Sequence, residues 1–153
     1  MADIMTPNQA ADFLLAESRE QGEVLTNLKL QKLLYYAQAW YLALEDRALF
    51  SEDFQAWAHG PVLPSQYHRF KEYAWRPLTV DVDAPTIADE AIKQHLEAIV
   101  EEFGTETAVA LERMTHREAP WIEARAGIPD GAISDARISK DSMKKYYRSL
   151  IDD

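Results

Sequence analysis

The sequence predicts a mainly α, compact single-domain fold over residues 1–153, with one small β-hairpin near residues 48–58. Three observations predict it. Apolar residues recur at intervals of three and four along most of the chain, which is the spacing of one helix face. Thr, Ser or Asn precedes several of these stretches and Gly often follows, as at helix ends. The length fits one domain, because a domain usually takes about 100–200 residues.

The first helix is predicted to begin at a capping box. Thr6 can accept a hydrogen bond from a free backbone N–H while Gln9 reaches back to it, and Pro7 suits the first helical position. The helix should run to about Gln21 and close at Gly22, which tolerates the left-handed conformation.

The second helix is predicted from a cap at Thr26 or Asn27 to about Glu45. Apolar residues lie on nearly all of its sides and leave a narrow polar strip that includes Gln31 and Gln38. Such a helix is either central to the core or docks a partner. The central position is favoured because a helix that is apolar all round is ordinarily buried.

A short alternation of apolar and polar residues follows over 48–58, with a turn at 51–53, and predicts the hairpin. Residues 59–64 should then form a second turn, because Pro61 biases Gly60 away from the helical region. Pro64 can start a short helix that runs to about Tyr73.

The third long helix is predicted from a cap at Thr86, with Asp89 three residues on, to Gly104. Its apolar face should point inward, and its opposite face carries Glu90, Glu97 and Glu101.

Three further helices complete the predicted fold. Thr105 should cap a helix through residue 115, and residues 115–118 resemble a second capping box before a short helix with Pro120 near its start. Ser139 should cap a last amphipathic helix that docks on the domain.

Composition excludes several classes of function. A net charge of −10 disfavours nucleic-acid binding, because such a surface repels a polyanion. The absence of cysteine removes disulfides and Cys-based zinc sites. The apolar runs are far shorter than the ~20 residues of a membrane span, so no membrane association and a cytoplasmic location are expected.

No catalytic or cofactor motif was found in the sequence. The five glycines are scattered, so no phosphate-binding loop is present. His116 and Glu118 form an H-x-E triplet followed by Pro120, as in zinc deaminases, but that chemistry also needs a Cys pair. The sequence therefore predicts no cofactor, no metal and no catalytic residue.

An enzyme remains the alternative prediction. His59 and His116 stand at turns, where each imidazole can simply fix a loop. In the alternative, they meet Glu118 to form a hydrolytic or metal-dependent site. The structural interpretation is favoured because that site needs a convergence that sequence does not show.

A basic cluster near the end of the chain permits two interpretations. It is either the solvated face of the last helix, which is favoured, or a contact for nucleic acid or an acidic partner. The cluster consists of Arg137, Lys140, Lys144, Lys145 and Arg148.

Three stretches, taken together, resemble one known family. They are residues 25–39 (LTNLKLQKLLYYAQA), 54–62 (FQAWAHGPV) and 111–121 (LERMTHREAPW). In this order and separation they resemble the Panacea domain of SocA-type and phage-associated antitoxins, and the resemblance extends over about residues 6–150.

The resemblance implies a helical domain that neutralises a cognate toxin protein by direct protein–protein contact, not by catalysis. In the SocA-type branch it also implies a proteolytic adaptor that delivers the toxin to the ClpXP protease. The positions that match the family signature are interpreted as mostly structural. They are Lys32, Tyr36, Trp57, His59, Gly60, Pro61, His116, Glu118, Pro120 and Trp121.

Candidate contacts with the partner are aromatic and acidic. Tyr35, Trp57 and Trp75 are the candidate anchors, although large aromatic residues are usually buried and each could equally belong to the core. Glu90, Glu97 and Glu101 could form a surface that steers a basic partner.

Overall fold

The computed structural model describes residues 3–151 and confirms the mainly α prediction. In this range the chain forms seven α-helices, a 3₁₀ turn at Lys71–Tyr73 and one two-stranded sheet. The elements are α1 (Pro7–Glu20), α2 (Asn27–Glu45), β1 (Gln55–Trp57), β2 (Gly60–Val62), α3 (Pro64–Arg69), α4 (Glu90–Phe103), α5 (Ala108–His116), α6 (Ala119–Arg125) and α7 (Lys140–Ile151).

Helix α2 is central, as predicted. Helices α1, α3, α4, α5 and α7 and the strand β2 all pack against it. Of its predicted polar strip, Glu45 is exposed but Gln31 and Gln38 are buried. The Gln38 amide accepts from Leu49 N and donates to Phe50 O, both at 2.8 Å. These bonds satisfy the Leu49 N–H and the Phe50 carbonyl, which lie in a segment that is neither helix nor strand.

Several predicted helix starts are confirmed. Thr6 and Gln9 exchange the two bonds of a capping box, Thr26 accepts from Lys29 N at 3.2 Å, and the Ser139 hydroxyl accepts from Ser142 N. Local capping chemistry decides these ends, because the first backbone N–H groups of a helix have no partner inside it.

Three other starts were predicted wrongly. Helix α4 begins after Asp89, whose carboxylate accepts from two backbone N–H groups, and not after Thr86. Helix α5 is capped by Thr107 instead of Thr105. No capping box joins Thr115 to Glu118, because the Thr115 hydroxyl donates to the Glu112 carbonyl within α5 and the Glu118 side chain is drawn into the core.

The hairpin exists, but its turn lies at residues 58–59, not at 51–53. Ala56 pairs with Pro61, and Gly60 adopts a φ of 104° that allows the tight reversal. Residues 136–138 extend the sheet edge, since Ala56 N donates to Ala136 O at 2.7 Å and Ile138 N to Phe54 O at 2.8 Å. The apolar alternation before β1 therefore reflects burial in an irregular segment.

None of the helices within residues 3–151 is both long and apolar enough to cross a membrane.

Candidate functional site

Lys32 of α2 is fully buried beneath the hairpin. Its Nζ donates to the Pro61 carbonyl at 3.0 Å. Burial lowers the pKa of Lys32 to about 7, and the Glu112 carboxylate opposes this shift. This buried amine ties the tip of the hairpin to the central helix, a role in agreement with the structural interpretation of Lys32 and Pro61.

Gly60 lies directly on Lys32. A Cβ at this position would be 2.7 Å from Lys32 Cε and 2.9 Å from Thr115 Oγ1, both closer than van der Waals contact. Close approach and positive φ thus both require glycine here.

Trp121 joins α6 to the other side of the hairpin. Its indole N–H donates to Trp57 O at 2.8 Å, and its ring stacks on His116 at 4.0 Å between centroids. Burial lowers the pKa of His116, and the nearby Glu112 carboxylate and Ala58 backbone oppose this shift. Pro120 occupies the first turn of α6, so these signature residues brace α5 and α6 against the hairpin.

Glu118 is the centre of a buried polar network. One of its oxygens, Oε1, accepts from Tyr36 at 2.7 Å and from Tyr147 at 2.8 Å, and the hydroxyl oxygens of Tyr147 and Tyr35 are 3.1 Å apart, within hydrogen-bond distance. Burial raises the pKa of Glu118, while the two tyrosine hydrogen bonds oppose that rise. Together these groups join α2, α7 and the start of α6.

Sequence reasoning missed Tyr147 as a member of this network. Tyr147 lies on the apolar face of the last helix, at a spacing that favours burial, but a buried phenol also needs a hydrogen-bond partner. The available signal was the combination of Tyr147 at a buried position and the acidic signature residue Glu118, which together suggest a hydrogen bond.

The three residues of the enzyme alternative have different neighbours. His59 is exposed and its Nδ1 lies 2.8 Å from Glu112 Oε1, whereas His116 stacks on Trp121 and Glu118 binds the tyrosines. Among the residues that the structure describes, no group of three or more His, Asp or Glu side chains is placed to hold a metal ion. The geometry thus gives this alternative no support.

Tyr35 was wrongly proposed as a surface anchor. Only 1% of it is exposed, and its ring packs edge-on against Phe54 and Tyr147. The position belongs to the core because it lies on the face of α2 that α7 covers.

Trp57 and Trp75, in contrast, line one surface groove of about 210 Å³, which we call the aromatic groove. Trp75 is 83% exposed, and Trp57 is half-buried with its ring edge-on to Tyr67. The rest of the lining is mostly apolar or uncharged: Asn27, Leu28, Gln31, His59, Val62 and Ala74.

A strained turn presents Trp75. Ala74 has φ 52° and ψ −120°, and Arg76 N donates to Tyr73 O at 2.9 Å, which is the geometry of a type II′ turn. Glycine is the residue that normally occupies the position of Ala74. Such strain is retained where the surrounding structure enforces it and often accompanies function.

A second groove of about 450 Å³ lies between α2 and α4, and we call it the α2–α4 groove. Its lining is Trp40, Leu44, His95, Ala98, Ile99, Glu101, Glu102 and Phe103. Of the three predicted acidic contacts, Glu101 borders this groove. Glu90 and Glu101 are exposed, and Glu97 is half-buried.

The basic cluster of α7 is largely paired within the chain. Arg137 and Lys140 both contact the Asp53 carboxylate, at 3.4 and 2.5 Å, and Lys144 contacts Asp46. Arg148 donates to the Ala43 carbonyl at 3.3 Å. These ion pairs reduce the positive field that a nucleic-acid contact needs and agree with a surface that helps to dock α7.

Comparison with known proteins gives two findings. Residues 30–122 match the family described as "Antitoxin SocA-like, Panacea domain". The chain is also 30% identical, over 152 aligned residues, to Antitoxin SocA of Caulobacter vibrioides (strain NA1000 / CB15N), and the alignment covers 90% of this chain and 80% of that protein. No solved structure matches it significantly.

Proposed function

We propose that this chain, which belongs to the SocA-like Panacea-domain family of antitoxins, neutralises a cognate toxin protein by direct protein–protein contact. The observation that carries the proposal is the similarity to an antitoxin over nine-tenths of the chain. Most signature residues also support it, because residues such as Lys32, Gly60 and Trp121 are buried and serve the scaffold. Toxin binding is therefore assigned to surfaces, including the groove that Trp57 and His59 line.

The aromatic groove is the proposed centre of the toxin interface. Tryptophan is enriched among the residues that dominate binding energy, and Trp75 offers nearly its whole ring without loss of core packing. Trp57 forms the firmer wall, because its indole N–H donates to Gln55 Oε1 at 2.8 Å. An interface of typical size would cover about 800 Å² on each partner.

The acidic face of α4 is proposed to steer a basic toxin toward this protein. Glu90, Glu97 and Glu101 have no cationic side chain within ion-pair distance among the described residues. Unpaired surface charges of one sign raise association rates with a partner of the opposite sign.

The direct test is co-expression with the product of the neighbouring gene. We expect that product to arrest growth alone, and this chain to restore growth and to copurify with it. A nanomolar complex, about 12 kcal/mol, would hold nearly all toxin inactive at micromolar concentrations. A neighbour that is harmless alone and does not copurify would contradict the proposal.

A proteolytic adaptor is the second form of this proposal, and the resemblance to the SocA-type branch motivates it. Under this form, the purified chain shortens the half-life of the toxin in the presence of ClpXP and ATP. An unchanged half-life would leave sequestration as the mechanism. Both forms place the protein in the cytoplasm, which cell fractionation tests.

A further inference from the structure

The α2–α4 groove combines an open apolar surface with a small residue at its edge. Trp40 and Leu44 lie one helical turn apart on α2, and Leu44 is 53% exposed. Across the groove, the exposed Ala98 leaves space between α4 and an approaching element. Small side chains allow helices to approach closely, at interaxial distances of about 8–10 Å.

The charge of this groove has one sign. Glu101 and Glu102 line it, and Glu45 follows Leu44 on α2. These carboxylates form no ion pair in the part of the chain that the structure describes. His95 adds little positive charge, because burial lowers its pKa, and the hydrogen bond between its Nε2 and the Ala37 carbonyl, at 2.8 Å, only opposes this shift.

We infer that the α2–α4 groove binds a basic amphipathic helix of the toxin, with apolar side chains against Trp40 and Leu44 and Lys or Arg side chains beside Glu101 and Glu102. This inference rests on the proposed function and names a second part of the interface. Charge complementarity selects the occupant, because unpaired carboxylates beside an apolar floor favour a partner with cations flanking an apolar stripe.

A second copy of this chain is a poorer occupant. Its basic helix is α7, whose Lys140 and Lys144 already pair with Asp53 and Asp46. The net charge of −10 also opposes association of two copies.

The two grooves lie at different ends of α2, so each can be altered alone. Leu28 lines the aromatic groove and Leu44 the α2–α4 groove. Their separation of sixteen residues corresponds to about 24 Å along the helix axis.

The test measures binding to the purified cognate toxin and to a probe peptide. The probe is a labelled amphipathic helix of Leu and Lys, and the control peptide replaces Lys with Glu. We expect the Lys peptide to bind and the Glu peptide not to bind. Both E101K/E102K and Leu44→Gln should lower the affinity for the Lys peptide and for the toxin about tenfold.

Two matched variants control for general effects. Glu123→Lys changes an exposed charge on α6, and Val109→Gln changes a 54% exposed apolar residue on α5. Neither should alter either affinity by more than about twofold. Glu123→Lys reverses one charge and E101K/E102K reverses two, so diffuse attraction alone predicts that the control loses about half as much binding free energy as the double variant. That result, or an unchanged affinity of Leu44→Gln, would overturn the inference in favour of diffuse attraction.

The toxin measurement separates this inference from the proposed function. Toxin binding that survives the groove variants unchanged would overturn the inference and leave neutralisation intact. A toxin that does not bind the wild-type chain would refute both. A dimer of this chain that dissociates in E101K/E102K would assign the groove to a second copy and would also overturn the inference.

Discussion

Replacement of Gly60 by alanine tests how the hairpin is fixed on the central helix. The new Cβ would lie 2.7 Å from Lys32 Cε and 2.9 Å from Thr115 Oγ1. Lys32 is fully buried, so moving its side chain away would also stretch the bond from Nζ to the Pro61 carbonyl. The clash therefore cannot be relieved without weakening that hydrogen bond or shifting the backbone.

The expected destabilisation has two parts. A left-handed backbone is about 1–2 kcal/mol less favourable for alanine than for glycine. Overpacking of a filled site adds about 1–3 kcal/mol. Gly60→Ala should therefore lower the free energy of unfolding by about 2–5 kcal/mol, measured by urea denaturation followed by far-ultraviolet circular dichroism.

Two glycines serve as controls that separate these parts. Gly22 also has positive φ, 83°, but a Cβ there would meet nothing within 4 Å, so Gly22→Ala should show only the backbone part, about 1–2 kcal/mol. Gly131 has neither constraint, and Gly131→Ala should change stability by less than about 1 kcal/mol. A Gly60→Ala loss no larger than that of Gly22→Ala would refute the close packing of hairpin and lysine.

Three further predictions concern the buried lysine, the tyrosine network and the exposed tryptophan. Between pH 7 and about 9.5, Lys32 keeps its proton in the unfolded chain but loses it in the folded chain, where its pKa is about 7. The free energy of unfolding should therefore rise with pH over this range. Urea denaturation at several pH values should show this rise in the wild type, and Lys32→Met should remove the contribution of Lys32 to it. Tyr147→Phe deletes the hydroxyl that bonds Glu118 and Tyr35 and should lower the free energy of unfolding by about 1.5–3 kcal/mol, whereas Tyr146→Phe, outside that network, should be nearly neutral by the same measurement. Trp75→Ala should leave stability within about 0.5 kcal/mol but weaken toxin binding at least about tenfold by calorimetry, and Ile133→Ala, at another highly exposed apolar position, should change neither.

Local sequence rules predicted the elements whose ends depend on nearby residues. The capping box of Thr6 and Gln9 and the cap at Thr26 involve contacts three residues apart, and they were found where expected. Asp89 was missed as a cap because Thr86 offers an equally good local pattern. The choice between them depends on where α4 meets the core, which the local pattern does not contain.

The same rules do not predict contacts between residues that are distant in sequence. The hairpin turn was misplaced because Leu49, Phe50 and Phe54 are buried in the core from an irregular segment. Gln38, which is distant in sequence, hydrogen-bonds the backbone of this segment. Tyr35 and Trp57 could not be separated as core and surface, since their chemistry is alike and only the docking of α7 distinguishes them. The acidic residues of α4 were predicted, whereas the apolar groove beside them arises only when α2 and α4 pack together.

The position of α7 in the chain affects how the protein folds as it is synthesised. Tyr147 of α7 completes a network with Tyr35, which is 112 residues earlier, and α7 covers one side of α2. A ribosome makes α7 after every other helix described here, so nascent chains present the uncovered aromatic side of α2 until translation has passed Tyr147. During that interval the chain is open to chaperones and to degradation, and its lifetime before completion is governed by the speed of elongation.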